Sequence, residues 1–267
     1  MKLDILDLSK NKVGEIVLPV QFDESIREDL VKRSFLVLRG NSRQAYGAMK
    51  GAGMRSSSDL SKRRKKYRGM YGFGIARTPR KILSRRGTRM MWVGALSPNT
   101  VGGRRAHPPK SEKIFSKKVN KKERKKAIRV CISATIINDL VKKNGHILPK
   151  NYPFIIDNKF ENLSKTKELL NVLKTLELGK ELERVSEKKV RAGKGKGRGR
   201  KYKIKTGPLI VVSKESNIIK AADNIPGVDV VNVKNLNVKM LGNGVPGRLT
   251  LWTASSLDIL EKERLFR

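Results

Sequence analysis

Residues 40–113 cannot build a hydrophobic core, and that constrains the rest of the chain. Within 40–110 there are 18 Lys and Arg and a single acid, Asp59. Gly, Ser and Pro recur, and no apolar periodicity persists. Ordering backbone costs about 1–2 kcal/mol per residue, so this segment needs on the order of 100 kcal/mol that its own apolar side chains do not supply. Such a segment is ordered by a partner or stays disordered. Its charge makes that partner an anion.

The whole chain leans the same way. It carries 61 Lys and Arg against 24 acids, a formal net charge of +37 over 267 residues. A chain this unbalanced repels itself unless a polyanion is present. Nucleic acid, an anionic membrane surface and acidic polysaccharide are the candidates. The single cysteine, Cys131, has no internal disulfide partner and is expected to fill a helix core face. No Cys/His grouping has zinc-ligand spacing, and no cofactor or metal is expected. The start, Met1-Lys2-Leu3-Asp4, lacks a signal peptide's apolar stretch, and no run approaches the ~18–20 apolar residues of a membrane span. A cytosolic, soluble chain without membrane association is expected.

The flanking segments can make a core. Leu3–Leu8 and Gly14–Leu18 read as strands with a turn at Asn11-Lys12. Ser25–Leu38 has helical spacing, with Asp23 as N-cap and Gly40 as stop. Residues 120–143 read as one helix, opened by an Asn120/Glu123 capping box and closed by Asn144-Gly145 in a left-handed C-cap. Tyr152–Ile156 is a strand and Ser164–Leu176 a helix. Leu209–Val212 is a continuous apolar strand, the pattern of a sheet covered on both faces. A helix at Ser216–Ala222, strands at Val228–Val233 and Leu249–Trp252, and a helix at Ser255–Leu265 follow. Strands alternating with helices predict an α/β fold, a single globular domain with a mostly parallel sheet flanked by helices. That domain comprises 1–39 and 114–267. Residues 40–113 are a long extended internal loop.

A second, shorter basic Gly-rich excursion, 184–206, interrupts the domain. Its residues 184–205 hold 11 Lys and Arg and one acid, Glu187. From Arg191 to Lys201 glycine alternates with cations, which suits phosphate tracking and leaves the backbone flexible until docked. The first loop adds aromatic chemistry. Lys62, Arg63, Arg64, Lys65, Lys66 and Arg68 surround Tyr67, and Gly69, Met70, Tyr71, Gly72, Phe73 and Gly74 follow. Cations release counterions from phosphate, glycines allow close backbone approach, and Tyr67, Tyr71, Phe73 and Trp92 are expected either to stack on unpaired bases or to pack locally inside the loop. The glycines at 69, 72 and 74 do not follow a strand or open a helix, so they are not a dinucleotide fingerprint. His107 is expected to be structural or RNA-contacting, and His146 to sit at the surface. The acids are expected to lie mostly in the helices as ordinary surface charge. No Ser/His/Asp grouping is present, and no enzyme is expected.

These residues resemble the universal ribosomal protein four family of the large subunit, in its archaeal and eukaryotic form. The resemblance rests on Asn41-Ser42-Arg43-Gln44-Ala45-Tyr46-Gly47 with Gly53-Met54-Arg55, and on Ala76-Arg77-Thr78-Pro79-Arg80. It rests further on Val101-Gly102-Gly103-Arg104-Arg105-Ala106-His107-Pro108-Pro109-Lys110, Val119 to Arg124, Pro226 to Val231 and Pro246 to Thr253. It runs along nearly the whole chain. The resemblance implies a structural constituent of the large ribosomal subunit, cytoplasmic, whose loop penetrates ribosomal RNA and lines the nascent-peptide exit tunnel. The implied partners are large-subunit ribosomal RNA, other large-subunit proteins and, near the loop tip, the nascent peptide; no homo-oligomer is expected. The tip is expected within Tyr67 to Arg77, and here Met70, Tyr71, Phe73 and Ile75 depart from the family's small or basic residues. Expected RNA contacts are Arg43, Arg55, the 62–66 and 68 cations, Arg77, Arg80, Arg85, Arg86, Arg104, Arg105 and His107, with Lys194, Lys196, Arg198 and Arg200 in the second excursion. An architectural DNA-binding protein would use the same charges and is the alternative. An RNA-modifying enzyme would need a cofactor loop after a strand and a polar catalytic cluster, and the sequence has neither.

Overall fold

Short apolar runs that alternate between two cores assemble into a six-stranded sheet. The computed structural model describes residues 1–58, 60–61, 63–65 and 69–267. Two units emerge: Met1–Asn41 with Lys117–Arg267, and Ser42–Ser116. The first unit begins with β1 (Lys2–Leu6), β2 (Lys12–Val17) and α1 (Glu28–Asn41). The second unit contributes β3 (Arg80–Arg86) and β4 (Arg89–Gly94). The chain then returns through α2 (Lys121–Ala134), α3 (Asn138–Lys143), β5 (Ile155–Ile156), α4 (Thr166–Thr175) and α5 (Gly179–Ser186). A small pair, β6 (Lys189–Val190) and β7 (Tyr202–Lys203), precedes β8 (Leu209–Val212), α6 (Ile218–Ala222) and β9 (Asp229–Asn232). The last elements are α7 (Val238–Gly242), β10 (Thr250–Thr253) and α8 (Ala254–Lys262).

The sheet order is β2-β1-β5-β10-β8-β9. Only the β1–β2 hairpin is antiparallel; the other neighbours run parallel. Trp252 of β10 sits opposite Ile155 of β5 on one side and Val211 of β8 on the other. The α/β sheet flanked by helices is the architecture the alternation of strands and helices predicts. Period-two alternation then sorts side chains between two cores. Leu209, Val211, Ile155 and Trp252 pack with Val31, Ala127, Cys131, Leu241 and Leu257 on the side of α1, α2, α7 and α8. Ile210, Val212, Ile156 and Leu251 pack with Val141, Leu169, Leu173 and Ile218 on the side of α3, α4 and α6. Every residue of β8 and β10 is buried, so each apolar side chain there contributes about 1.5–3 kcal/mol. Phe22 meets the Trp252 ring edge-on at 5.2 Å.

Several boundaries move, for local reasons. The helix expected at 25–38 is Glu28–Asn41, so Gly40 lies inside it and Asp23 closes a short 3-10 turn instead. Glu24 turns toward α2 and accepts from Arg129 Nε at 2.7 Å, which holds this stretch out of the helix. The helix expected at 120–143 is two helices. The β-branched run Thr135-Ile136-Ile137 breaks it, with the Thr135 hydroxyl donating to the Ile132 carbonyl and the Tyr152 hydroxyl donating to the Thr135 carbonyl. Gly145 takes the left-handed conformation expected after the second of them. Asn120 occupies the cap position of α2 without a side-chain cap bond, and Glu123 lies beside Arg33 rather than completing a capping box. The strand expected at 152–156 pairs only at Ile155 and Ile156.

Candidate nucleic-acid interface

The unit Ser42–Ser116 holds 19 Lys and Arg against two acids, Asp59 and Glu112. Among the described residues its order rests on backbone, rings and carbonyls rather than on carboxylates. The outgoing and returning legs lie against each other. The Ala48 amide donates to the Pro109 carbonyl at 3.0 Å. A Cβ on Gly47 would stand 2.4 Å from the Ser111 nitrogen, and one on Gly53 would stand 2.5 Å from the Arg104 nitrogen. Glycine at these two positions is what lets the backbones approach. Farther along, β3 and β4 pair antiparallel from Arg80–Gly94 to Arg86–Arg89, with an irregularity between Ile82 and Ser84. The Ala95 amide donates to the Pro79 carbonyl at 2.8 Å and closes this hairpin's base. Sequence reasoning missed this hairpin, because cations interrupt its apolar alternation.

The expected contact residues divide into two groups. Five arginines are already engaged inside the unit. The Arg43 guanidinium lies 4.3 Å from the Phe115 ring centroid and 5.7 Å from that of Tyr46. Arg55 reaches the Met49 sulfur. Arg77 donates to the Tyr71 hydroxyl at 2.9 Å, Arg80 to the Ala76 carbonyl at 2.6 Å, and Arg85 to the Gly87 carbonyl at 2.9 Å. The second group is Arg63, Arg64, Lys65, Arg86, Arg104, Arg105 and His107. Each is exposed, and its side chain forms no hydrogen bond or ion pair with a described residue. Lys62, Lys66, Tyr67 and Arg68 lie outside the described residues. At the expected tip, Gly69 and Met70 are buried, with Gly69 bridged to Ser61, while Tyr71, Gly72, Phe73 and Gly74 are exposed. Phe73 is the most open of these aromatics, at 70% exposure.

The second excursion presents Lys194, Lys196, Arg198 and Arg200, all exposed. A 3-10 turn over Lys196–Arg198 and left-handed glycines at 193 and 199 shape it. Arg191 Nε donates to the Arg200 carbonyl at 3.2 Å, and the β6–β7 pair closes below. A buried polar cluster fastens its base. Glu181 accepts from Arg184 Nε and its terminal nitrogen at 2.7 and 2.6 Å and from the Ile147 amide at 2.9 Å, and lies 2.7 Å from His146 Nδ1. Arg184 also donates to the Thr206 carbonyl at 2.8 Å, joining the two ends of the excursion. Burial opposes ionisation of Glu181, but the bonds from Arg184, His146 and Ile147 outweigh it and hold the carboxyl below the usual range.

This cluster corrects one expectation. His146 is buried rather than at the surface, because Glu181 supplies a partner inside the fold. Glu181 and Glu161 are the buried exceptions among the described acids, most of which lie at the surface as expected. Glu161 is buried where β8 and β10 end, accepting from the Ser213 amide and from the Ser213, Thr253 and Ser255 hydroxyls at 2.7–2.9 Å. Burial again works against its charge, and those donors keep its pKa below the usual carboxylate value. Neither acid stood out in the sequence, because each sits in a segment of ordinary amphipathic composition. Sequence reasoning also passed over Tyr46, Glu112 and Phe115 as site residues. Tyr46 and Phe115 stack at 6.2 Å with their planes 10° apart.

Among the described residues no His, Cys, Asp and Glu grouping could hold a metal ion, and no helix is long and apolar enough to cross a membrane. Fold and charge together define an α/β domain whose chain carries two cation-rich excursions almost devoid of acids. A family model described as the Ribosomal protein L4/L1 family matches residues 16–263. The chain is 48% identical to the large ribosomal subunit protein uL4 of Nanoarchaeum equitans over 268 residues, covering all of both chains. It is 44% identical to the uL4 of Methanococcoides burtonii, covering 97% of each chain, and 38% identical to that of Halobacterium salinarum, covering 97% and 98%. The chain belongs to the ribosomal protein L4/L1 family, a family of structural proteins rather than enzymes.

Proposed function

We propose that the chain is a structural constituent of the large ribosomal subunit in the cytoplasm, that it binds large-subunit ribosomal RNA through both basic excursions, and that residues 40–113 penetrate the RNA and line the nascent-peptide exit tunnel. The observation that carries this reading is the set of exposed cations whose side chains have no partner among the described residues: Arg63, Arg64, Lys65, Arg86, Arg104 and Arg105 in the first excursion, Lys194, Lys196 and Arg198 in the second. Phosphate answers such a set by counterion release, with little regard to sequence. The engaged arginines hold the loop's shape, and each still has guanidinium N–H groups to offer a phosphate. The exposed ring of Phe73 is the tip side chain best placed to meet a nascent peptide or an unpaired base. The uL4 relatives are named as large-subunit proteins, and neighbouring large-subunit proteins complete the partner set.

Limited proteolysis tests the reading. Residues 40–113 should be cut readily in the purified chain and protected in assembled large subunits. Deleting 62–80 should leave cooperative unfolding of the α/β unit intact and impair subunit assembly. Equal cleavage in both settings, or normal assembly of the deletion, would overturn the reading.

A further inference from the structure

The two legs of the first excursion together line an open concavity of about 770 Å³, formed by Tyr46 of the outgoing leg and by Arg105, His107, Lys110, Glu112, Lys113 and the Pro108-Pro109 pair of the returning leg. We propose that this concavity binds one unpaired nucleotide turned out of its stack, with guanine as the preferred base. The proposal rests on the RNA-binding reading above and adds a base-specific site to it. The volume suits a small-molecule pocket. Tyr46 supplies a stacking face, being 54% exposed while its parallel neighbour Phe115 and the Arg43 guanidinium fix the ring. A ring held in place before binding stacks without an ordering penalty. The Arg105 and Lys110 side chains form no hydrogen bond or ion pair with a described residue and are free to take the flanking phosphates.

Glu112 decides the base. Among the described residues it is the one carboxylate lining the concavity, and its side chain has no partner among them despite the cations around it. On phosphate it would only repel. Against a base edge, a carboxylate accepts N–H donors. Guanine presents two adjacent donors, N1–H and the N2 amino group, which match its two oxygens. Adenine and cytosine set one amino donor beside a ring-nitrogen acceptor, and uracil flanks its one donor with two carbonyls. Paired donors give discrimination that single ones do not.

Binding of the full-length chain to single-stranded pentaribonucleotides, UUGUU against UUAUU, UUCUU and UUUUU at one fixed salt concentration, tests this. UUGUU should bind about tenfold tighter, in line with a bidentate base-edge pair. Glu112→Gln should abolish that preference while leaving affinity for UUUUU equal or higher, since it removes a negative charge. A residue that merely shapes the loop would not produce this split. Tyr46→Ala should weaken all four, about tenfold for loss of one stacked base. Tight but equal binding of all four overturns the pocket alone. So does a guanine preference that survives Glu112→Gln. Absence of binding to any oligonucleotide overturns the RNA-binding reading as well.

Discussion

The core of the α/β unit and the Ser42–Ser116 unit handle arginine in opposite ways. In the α/β unit, Arg184 and Arg248 are matched to carboxylates. Arg184 grips Glu181, and buried Arg248 donates to Asp229 at 2.6 Å and to the Gly207 and Met240 carbonyls at 2.8 and 2.9 Å. In the Ser42–Ser116 unit two acids face nineteen cations, so arginines fall on rings, carbonyls and sulfur or stay without partners among the described residues. The first arrangement fixes a fold. The second keeps positive charge available, because a cation–π or carbonyl contact orients a guanidinium without neutralising it.

The contrast is most exposed to test at the buried carboxylates. Glu181→Ala leaves Arg184 and His146 without their partner, and should cost about 3–5 kcal/mol of stability in urea unfolding of the full chain. Glu161→Ala removes the acceptor of three hydroxyls and an amide, and should cost about 3 kcal/mol in the same assay. Arg85→Ala in the other unit should move that transition by less than about 0.5 kcal/mol, as an exposed surface change does. A loss from Arg85→Ala as large as that from Glu181→Ala would erase the contrast.

Glycine sharpens it. Gly227 has φ of 71°, and a Cβ there would lie 2.0 Å from Val185 Cγ1 and 2.9 Å from the Lys205 carbonyl oxygen. Gly227→Ala should destabilise the α/β unit by about 1–3 kcal/mol. Gly72 has φ of 84°, and a Cβ there would meet nothing within 4 Å. Gly72→Ala should strain only its own turn, leaving the urea midpoint unmoved.

The contrast also has a signature in pH. Glu161 and Glu181 have folded-state pKa values below the ordinary 4.5. Their contribution is therefore fully present above that value and is lost as pH falls through the depressed folded values. Stability of the α/β unit should be flat from pH 7 to 5 and decline below 4.5, and Glu161→Gln should flatten part of the decline. A decline that begins above pH 6 would point to a different titrating group.

How much of this was legible in the sequence follows from where the determining contacts lie. The buried strands β8 and β10 were readable because a sheet covered on both faces needs an unbroken apolar run. Helices α5 and α7 were missed. The first carries a buried Glu181 that reads as surface charge, and the second is five residues long, started by the Asn237 side chain accepting from the Met240 amide. In the basic unit, residue type announced the cations. Which arginines were already engaged was not legible, since the answer depends on the returning leg: Phe115 comes back to Arg43 from the far end of the unit. Tyr46 and Glu112 became site candidates only once the two legs were set side by side.

Cys131 has a practical consequence. It is the chain's single cysteine, it is fully buried on α2, and burial pushes its thiol pKa up to about 12. Thiolate is the reactive form, so the folded protein is nearly inert to thiol reagents. A cysteine placed on the exposed face of either excursion would then take a fluorophore or spin label alone. Cys131 itself becomes a built-in clock, its slow labelling timing the opening of the core while the dye follows the loop.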